Sequence, residues 1–361
     1  MPRVGYAEVI GAATGGGSNS GWFGDGSDGD LIVEAGQTYV IDVALDEGQI
    51  VKKYKNVYIG EGATVRPSNR CNGMIWMVNG DFECHGTISM DKCAPLLNDF
   101  EADALAHSHI KLLGNLTGGK GGDGGRTGRF YNMYENYNYS TQFYTYLPGV
   151  GSEGFGLGGG FGGGSPSYQR NGGSGERAPI GTALPYRDTA SAVGVAAIYG
   201  AGGNVYQSGK ITAYGGRGYG GSAASYTYYA ESEQLSNGND GDAIGGGLFA
   251  LYVGGNCVIS ATGAIRACGG NGASGIRTTA NYSRVYDATG GGGGGGGGII
   301  GIVYASAYSN VGTVIANGGT GGAHLGYMFA NNADRIFATA GTDGNVGTVL
   351  VKKLDDLLAG A

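Results

Sequence analysis

Residues Ala288–Ala307 read ATGGGGGGGGGIIGIVYASA, in which nine consecutive glycines, Gly290–Gly298, stand directly against a strand-like apolar run. Glycine loses more conformational freedom on ordering than any other residue, so the block has two readings. It is slack linker, or it is packed where nothing larger than hydrogen fits. Which of the two applies depends on the pattern around it.

That pattern is a repeat. "SGKITAYGGRG" from Ser208, "TGAIRACGGNG" from Thr262 and "VGTVIANGGTG" from Val311 share the form G-x-[IV]-x-A-x-G-G-x-G, with first glycines at Gly209, Gly263 and Gly312. "HGTISMDKCAP" around Gly86 is a looser copy that keeps G-x-I. Each copy follows a short apolar run: Met74–Val78, Val193–Tyr199, Leu248–Val253 and Ile299–Tyr304. Gly80-Asp81, Gly203-Asn204 and Gly255-Asn256 lie between run and motif and read as turns. Units of two or three strands with tight turns stack as solenoid rungs, because one rung cannot bury a core alone. "VYIGEGATVRP" from Val57 and "HIKLL" from His109 read as further rungs, and "VGTVLVKKL" from Val346 as a closing strand.

A long insertion follows each full motif, and the largest, Gly118 to Ala190, follows "HIKLLGNLT". Rungs in register send such insertions out from one corner. Glycine blocks stacked there can form extended left-handed helices of the polyproline II type, bonded backbone to backbone where no side chain intervenes. The expected fold is therefore all-β: a parallel β-helix or solenoid-like stack of short strands, with long Gly/Tyr-rich, polyglycine-type insertions on one side. Residues 1–50 are expected as an attachment region or β cap and 51–117 as the first β rungs. Residues 118–190 form the Gly/Tyr-rich insertion, and 191–361 a repeat β-solenoid with glycine-rich loops.

Composition supports a folded chain. Glycine supplies 80 of 361 residues, about three times ordinary usage, without the Gly-X-Y period of collagen. Disorder does not fit 41% hydrophobic residues and 25 tyrosines. A net charge of −7 with 14% charged residues argues against nucleic-acid binding, which needs basic side chains on phosphates. Glu8 and glycines interrupt the N-terminal apolar stretch, so neither a signal peptide nor a membrane span is expected. The cysteines, Cys71, Cys84, Cys93, Cys257 and Cys268, show no C-x-x-C spacing and read as free buried thiols.

Tyr131–Tyr146, YNMYENYNYSTQFYTY, holds seven aromatic residues in sixteen, against 10% for the chain, among small polar residues. This is the composition of antibody loops, where tyrosine gives contact area at low entropic cost. Candidate receptor-binding residues are Tyr131, Tyr134, Tyr137, Tyr139, Phe143, Tyr144 and Tyr146, with Tyr226, Tyr228 and Tyr229 from a second insertion. Covering a layer of bare glycine backbone is the competing role for the same rings.

Other signals are weaker. "GNLTGGKG" from Gly114 has the spacing of a phosphate-binding loop, but Gly121 stands where Ser or Thr should hold magnesium. "GGKGGD" from Gly118 is half of a calcium-binding nonapeptide without tandem copies, and "DGSDGD" at Asp25–Asp30 lacks the calcium-loop pattern. His85, His107, His109 and His324 show no ligand spacing beyond His107 and His109, so no metal or cofactor is expected. Glu101/Asp103 and Asp240/Asp242 are candidate carboxylate pairs for a polysaccharide depolymerase, with nothing to separate them from surface acids.

Gly21–Ile41, Tyr54–Ile88 and the repeat units together resemble the glycine-rich virion proteins of tailed bacteriophages, of the tail-fibre or receptor-binding type. The chain is also similar to adhesins at some phage fibre tips, which sandwich polyglycine helices and expose variable loops. It departs from them in alternating its glycine blocks with β rungs. The resemblance implies a non-enzymatic virion protein, assembled in the host cytoplasm and acting outside it at the host surface. Its implied partners are other virion proteins and a bacterial cell-surface glycan or protein. A homo-oligomer, trimer or filament, is the associated expectation, although no heptads appear to enforce one. A purely structural virion part, such as a head fibre or repeating filament subunit, is the alternative.

Overall fold

Apolar positions two apart give short strands here, and one-sided turns carry the chain from each strand to the next face of a coil. The computed structural model describes residues 19–45, 48–95, 109, 112–113, 116–125, 127–133, 140–146, 151, 206–208, 211–213, 243–274, 285–288, 291–324 and 339–359. The first coil holds β1 (Leu31–Val33) and β2 (Thr38–Ile41). The second holds β3 (Ile50–Tyr54), β4 (Val57–Ile59) and β5 (Thr64–Pro67), and the third β6 (Met74–Val78), β7 (Phe82–Cys84) and β8 (Thr87–Ser89). Outside the coils lie β9 (Thr127–Met133), β10 (Ser140–Tyr146), β11 (Tyr206–Ser208) and β12 (Ile211–Ala213). The fourth coil is β13 (Leu248–Val253), β14 (Cys257–Ile259) and β15 (Ala264–Arg266). After β16 (Val285–Ala288) come the fifth coil, β17 (Ile299–Tyr304), β18 (Tyr308–Asn310) and β19 (Thr313–Ile315), then β20 (Thr348–Lys353) and the helix α1 (Leu354–Ala359).

Three parallel five-stranded sheets result, ordered β1-β4-β7-β14-β18, β2-β5-β8-β15-β19 and β3-β6-β13-β17-β20. The fold is thus mostly β and stacked, as the repeat predicts. Register is strict: Leu31, Val57, Phe82, Cys257 and Tyr308 form one column, and Trp76 lies level with Leu251 and Ile302. The inner strands of the third sheet, β6, β13 and β17, are buried on both faces, which is why they read as unbroken apolar runs, whereas the edge strands β3 and β20 carry lysines. Trp76, Leu251 and Ile302 face the interior of the stack. Ile75, Tyr252 and Val303 face outward, under Phe23, Leu113 and Leu354.

The motif now has a spatial meaning. Gly86, Gly263 and Gly312 occupy the corner between the first and second sheets, where a Cβ would strike the backbone of the coil before. Ile88 and Ile265 face the core from the second sheet. Ala267 and Ala316 are buried just beyond the second sheet, and Gly269 and Gly270 after Ala267 donate to the carbonyls of Asn317 and Ile244. Within the stack β8 comes before β13, β15 before β17 and β19 before β20, so each of these links runs from the end of the second sheet to the start of the third.

Two expected rungs are absent from the stack. β11 and β12, in the Ser208 copy, pair antiparallel in a separate two-stranded sheet, with Ser208 opposite Ile211. Its Gln207 aligns with Cys84, a core position that takes an unpartnered amide only at high cost. His109 and Leu112, expected in a strand, lie in a helical turn. His109, Leu112, Leu113 and Leu116 have helical spacing, and the three leucines pack on the outer face of the third sheet.

Candidate interaction surface

The glycine block decides the reading of its surroundings. Gly291–Gly298 are all buried. The amides of Gly291, Gly294 and Gly297 donate to the carbonyls of Thr339, Thr342 and Asn345, and those of Gly292, Gly295 and Gly298 to Ala273, Gly270 and Ala267. The carbonyls of Gly291, Gly294 and Gly297 accept from Gly125, Gly122 and Gly119. Those of Gly292 and Gly295 accept from Gly322 and Gly319, and that of Gly296 from Gly246. Five backbone segments therefore surround the block, with a period of three residues. A Cβ at Gly293, Gly294 or Gly298 would strike a carbonyl oxygen of a different neighbour, so no face of the block tolerates a side chain.

Triplet composition follows the number of neighbours. In the central block every residue is glycine. Segment 118–125 reads Gly-Gly-x, with Lys120 and Asp123 half-buried between buried glycines. Segment 339–347 keeps only Gly341, Gly344 and Gly347, and its other positions are exposed. Outward side chains add sideways bonds: Asp123 Oδ1 accepts from Gly151 N at 2.9 Å, Asn271 Oδ1 from Thr320 N at 2.9 Å, and Asp343 Oδ1 from Gly321 N at 2.7 Å. Slack linker is not the reading that this bonding supports.

Segment 116–125 runs toward β9, and β16 leads back to the glycine block. β9 pairs antiparallel with β10 on one side and β16 on the other. Tyr131 lies level with Gln142 and Val285, Phe143 with Phe130, Tyr144 with Arg129 and Tyr146 with Thr127. Tyr131, Phe143, Tyr144 and Tyr146 therefore lie on the two paired strands, with Tyr131 toward one end of the pairing and Tyr146 at the other. Tyr134, Tyr137, Tyr139, Tyr226, Tyr228 and Tyr229 lie outside the described residues, as do Glu101, Asp103, His107, Asp240 and Asp242. The part of β16 was not legible in the sequence: Val285–Ala288, just before the glycines, shows no alternation of apolar and polar residues.

Several polar side chains among the described residues bond within the coils. Asp30 Oδ1 accepts from Asn56 Nδ2 at 2.9 Å, Asn56 Oδ1 from Asp81 N at 3.0 Å, and Asp81 Oδ1 from Asn256 N at 2.7 Å. Gly80-Asp81 and Gly255-Asn256 are therefore steps of a corner ladder as well as turns. In the Asp25–Asp30 run, Asp28 Oδ2 accepts from Lys53 N at 2.6 Å. Hydrogen bonds from Ser27 hold the Asp25 carboxyl below its usual range. His109 Nε2 contacts the Trp22 carbonyl at 3.0 Å, the Tyr252 hydroxyl donates to the His109 carbonyl, and His85 lies 3.6 Å from Glu83. None of the five cysteines is in a disulfide. Burial pushes the thiols of Cys84, Cys93 and Cys257 up to about 11, 12 and 12, and the Tyr252 hydroxyl well above its ordinary value.

Among the described residues no group of His, Cys, Asp or Glu is placed to hold a metal ion, and no helix is long and apolar enough to cross a membrane. No protein-family model, curated protein or solved structure matches the chain.

Proposed function

We propose that the protein is a non-enzymatic virion component of the tail-fibre or receptor-binding type, contacting a bacterial surface glycan or protein through Gly/Tyr-rich loops. One observation carries the reading: two glycine segments, bonded side by side from Gly119 to Gly125, lead at one end into the antiparallel sheet that holds the tyrosine-rich hairpin. The glycine segments are polyglycine helices of the polyproline II type, and the Gly/Tyr-rich insertions extend from one side of the solenoid. At roughly 3.1 Å per residue, such a bundle sets the hairpin about 25 Å from the corner of the stack. Because backbone alone makes its contacts, the spacer is stiff, and tyrosines at its end offer broad amphipathic faces. The protein assembles with other virion proteins inside the host and acts at the surface of the next one.

Deleting residues 131–146 and measuring both particle assembly and adsorption to host cells tests this. Normal assembly with lost adsorption is expected, and unchanged adsorption overturns the reading. Failed assembly favours the second reading, a head fibre or filament subunit. The pairing of β16 with β9 speaks for that alternative, since it engages one strand of the hairpin within the chain itself.

A further inference from the structure

We propose that Cys71 and Cys93 form a redox-controlled cross-link between the second and third coils, closing when the protein meets a small-molecule disulfide. Both residues lie where the chain leaves the second sheet, in neighbouring coils, and Cys71 N donates to the Cys93 carbonyl at 3.3 Å. A backbone bond of that kind sets the two Cα atoms about 5–6 Å apart, the separation a disulfide spans. Strand alternation alone would turn Cys93 away from the core. Lys92, however, has φ of 57°, the left-handed region that side-chain-bearing residues rarely adopt. Beyond that kink both Cys93 and Ala94 turn inward: Ala94 is fully buried, and Cys93 packs against the cluster containing Cys71.

The other cysteines supply an internal control. Cys84 and Cys257 also sit in neighbouring coils, but Cys257 is level with Phe82 and Cys84 with Ile259. That two-residue diagonal places their Cβ atoms about 7 Å apart on a fixed pleat, too far to join. Cys268 turns its thiol toward Ile315 in the fifth coil.

The chemistry balances as two exchanges. The Cys93 thiolate, the more accessible of the pair, attacks the small disulfide, forming a mixed disulfide and releasing one thiolate. The Cys71 thiolate then attacks the Cys93 sulfur and expels the second. Two protein thiols become one disulfide, and one small disulfide becomes two thiols. Burial, with Cys71 and Asp91 alongside, outweighs Arg66 and Arg70 and keeps the Cys93 thiol protonated at neutral pH. Closure is therefore slow at pH 7 and accelerates about tenfold per pH unit towards pH 9. The bond pins the point from which the longest excursion departs.

The test uses the full chain incubated with oxidised glutathione, followed by alkylation under denaturing conditions and peptide mapping without reductant. The expected result is one cross-linked peptide pair containing Cys71 and Cys93, three alkylated thiols at Cys84, Cys257 and Cys268, and reversal by dithiothreitol. C71S and C71A should each leave Cys93 as a mixed disulfide with glutathione, with unchanged circular dichroism. Five alkylated thiols after prolonged incubation at pH 9, or a cross-link involving any other cysteine, overturns the proposal.

Discussion

The α-carbon of Gly296 faces the carbonyl oxygen of Gly119 so closely that a methyl group on it would stand 1.9 Å from that oxygen, far inside van der Waals contact. The obstacle is backbone, which cannot rotate away as a side chain can. Gly296→Ala should therefore destabilise the protein by about 3 kcal/mol or more. Thr320→Ala, at an exposed outward position of a neighbouring segment, should stay within about 0.5 kcal/mol. Urea midpoints of the two variants check the contrast, and equal midpoints would refute it.

A second glycine meets a side chain instead. A Cβ on Gly301 would stand 2.5 Å from Leu113 Cδ1, where the helical turn docks on the third sheet. Gly301→Ala should cost about 1–3 kcal/mol, and Leu113→Ala in the same chain should recover part of that loss. The recovery is read from a double-mutant cycle in thermal unfolding. Strict additivity would mean that the contact does not form.

Buried thiols make stability depend on alkaline pH. Cys84 and Cys257 titrate at about 11 and 12 in the fold, because burial disfavours the thiolate, and near 8.5 when unfolded. Above about pH 8.5 the unfolded chain sheds protons that the fold retains. Stability is therefore complete below that pH and declines as pH rises towards 11 and 12. Urea midpoints should be level from pH 7 to 8 and fall from pH 9 to 11, and the double variant Cys84→Ala/Cys257→Ala should show a shallower fall.

The corner ladder gives a local prediction. Asp81→Ala leaves the Asn256 amide without its acceptor and should cost about 1–1.5 kcal/mol, whereas Asp81→Asn keeps an oxygen there and should be close to neutral. Amide exchange at Asn256 should quicken in the alanine variant alone. Equal exchange in both variants would remove the ladder from the account.

The stack was legible because its rules are local. Alternation in Phe82–Cys84, the glycine at position 263 and the buried alanine at 267 each report a neighbour fixed by the coil itself. The Ser208 copy misled because its motif matches while its counterpart of Cys84 is Gln207, and core membership depends on burial that a motif does not encode. "HIKLL" was too short for its helical spacing to stand out from strand alternation. The β9–β16 pairing joins residues over 150 positions apart, and no single-segment pattern carries that separation. Of the aromatic candidates, Tyr131, Phe143, Tyr144 and Tyr146 fall on two paired strands, which the aromatic composition that singled them out did not indicate.

Met74 in β6 lies level with Phe249 in β13, although some 170 residues separate them in the chain. An excursion that starts and finishes at the same edge transmits nothing of its length to the strands on either side. Such a scaffold can exchange, lengthen or duplicate its outer loops while the architecture beneath stays fixed. Diversification at the periphery then proceeds without renegotiating the interior.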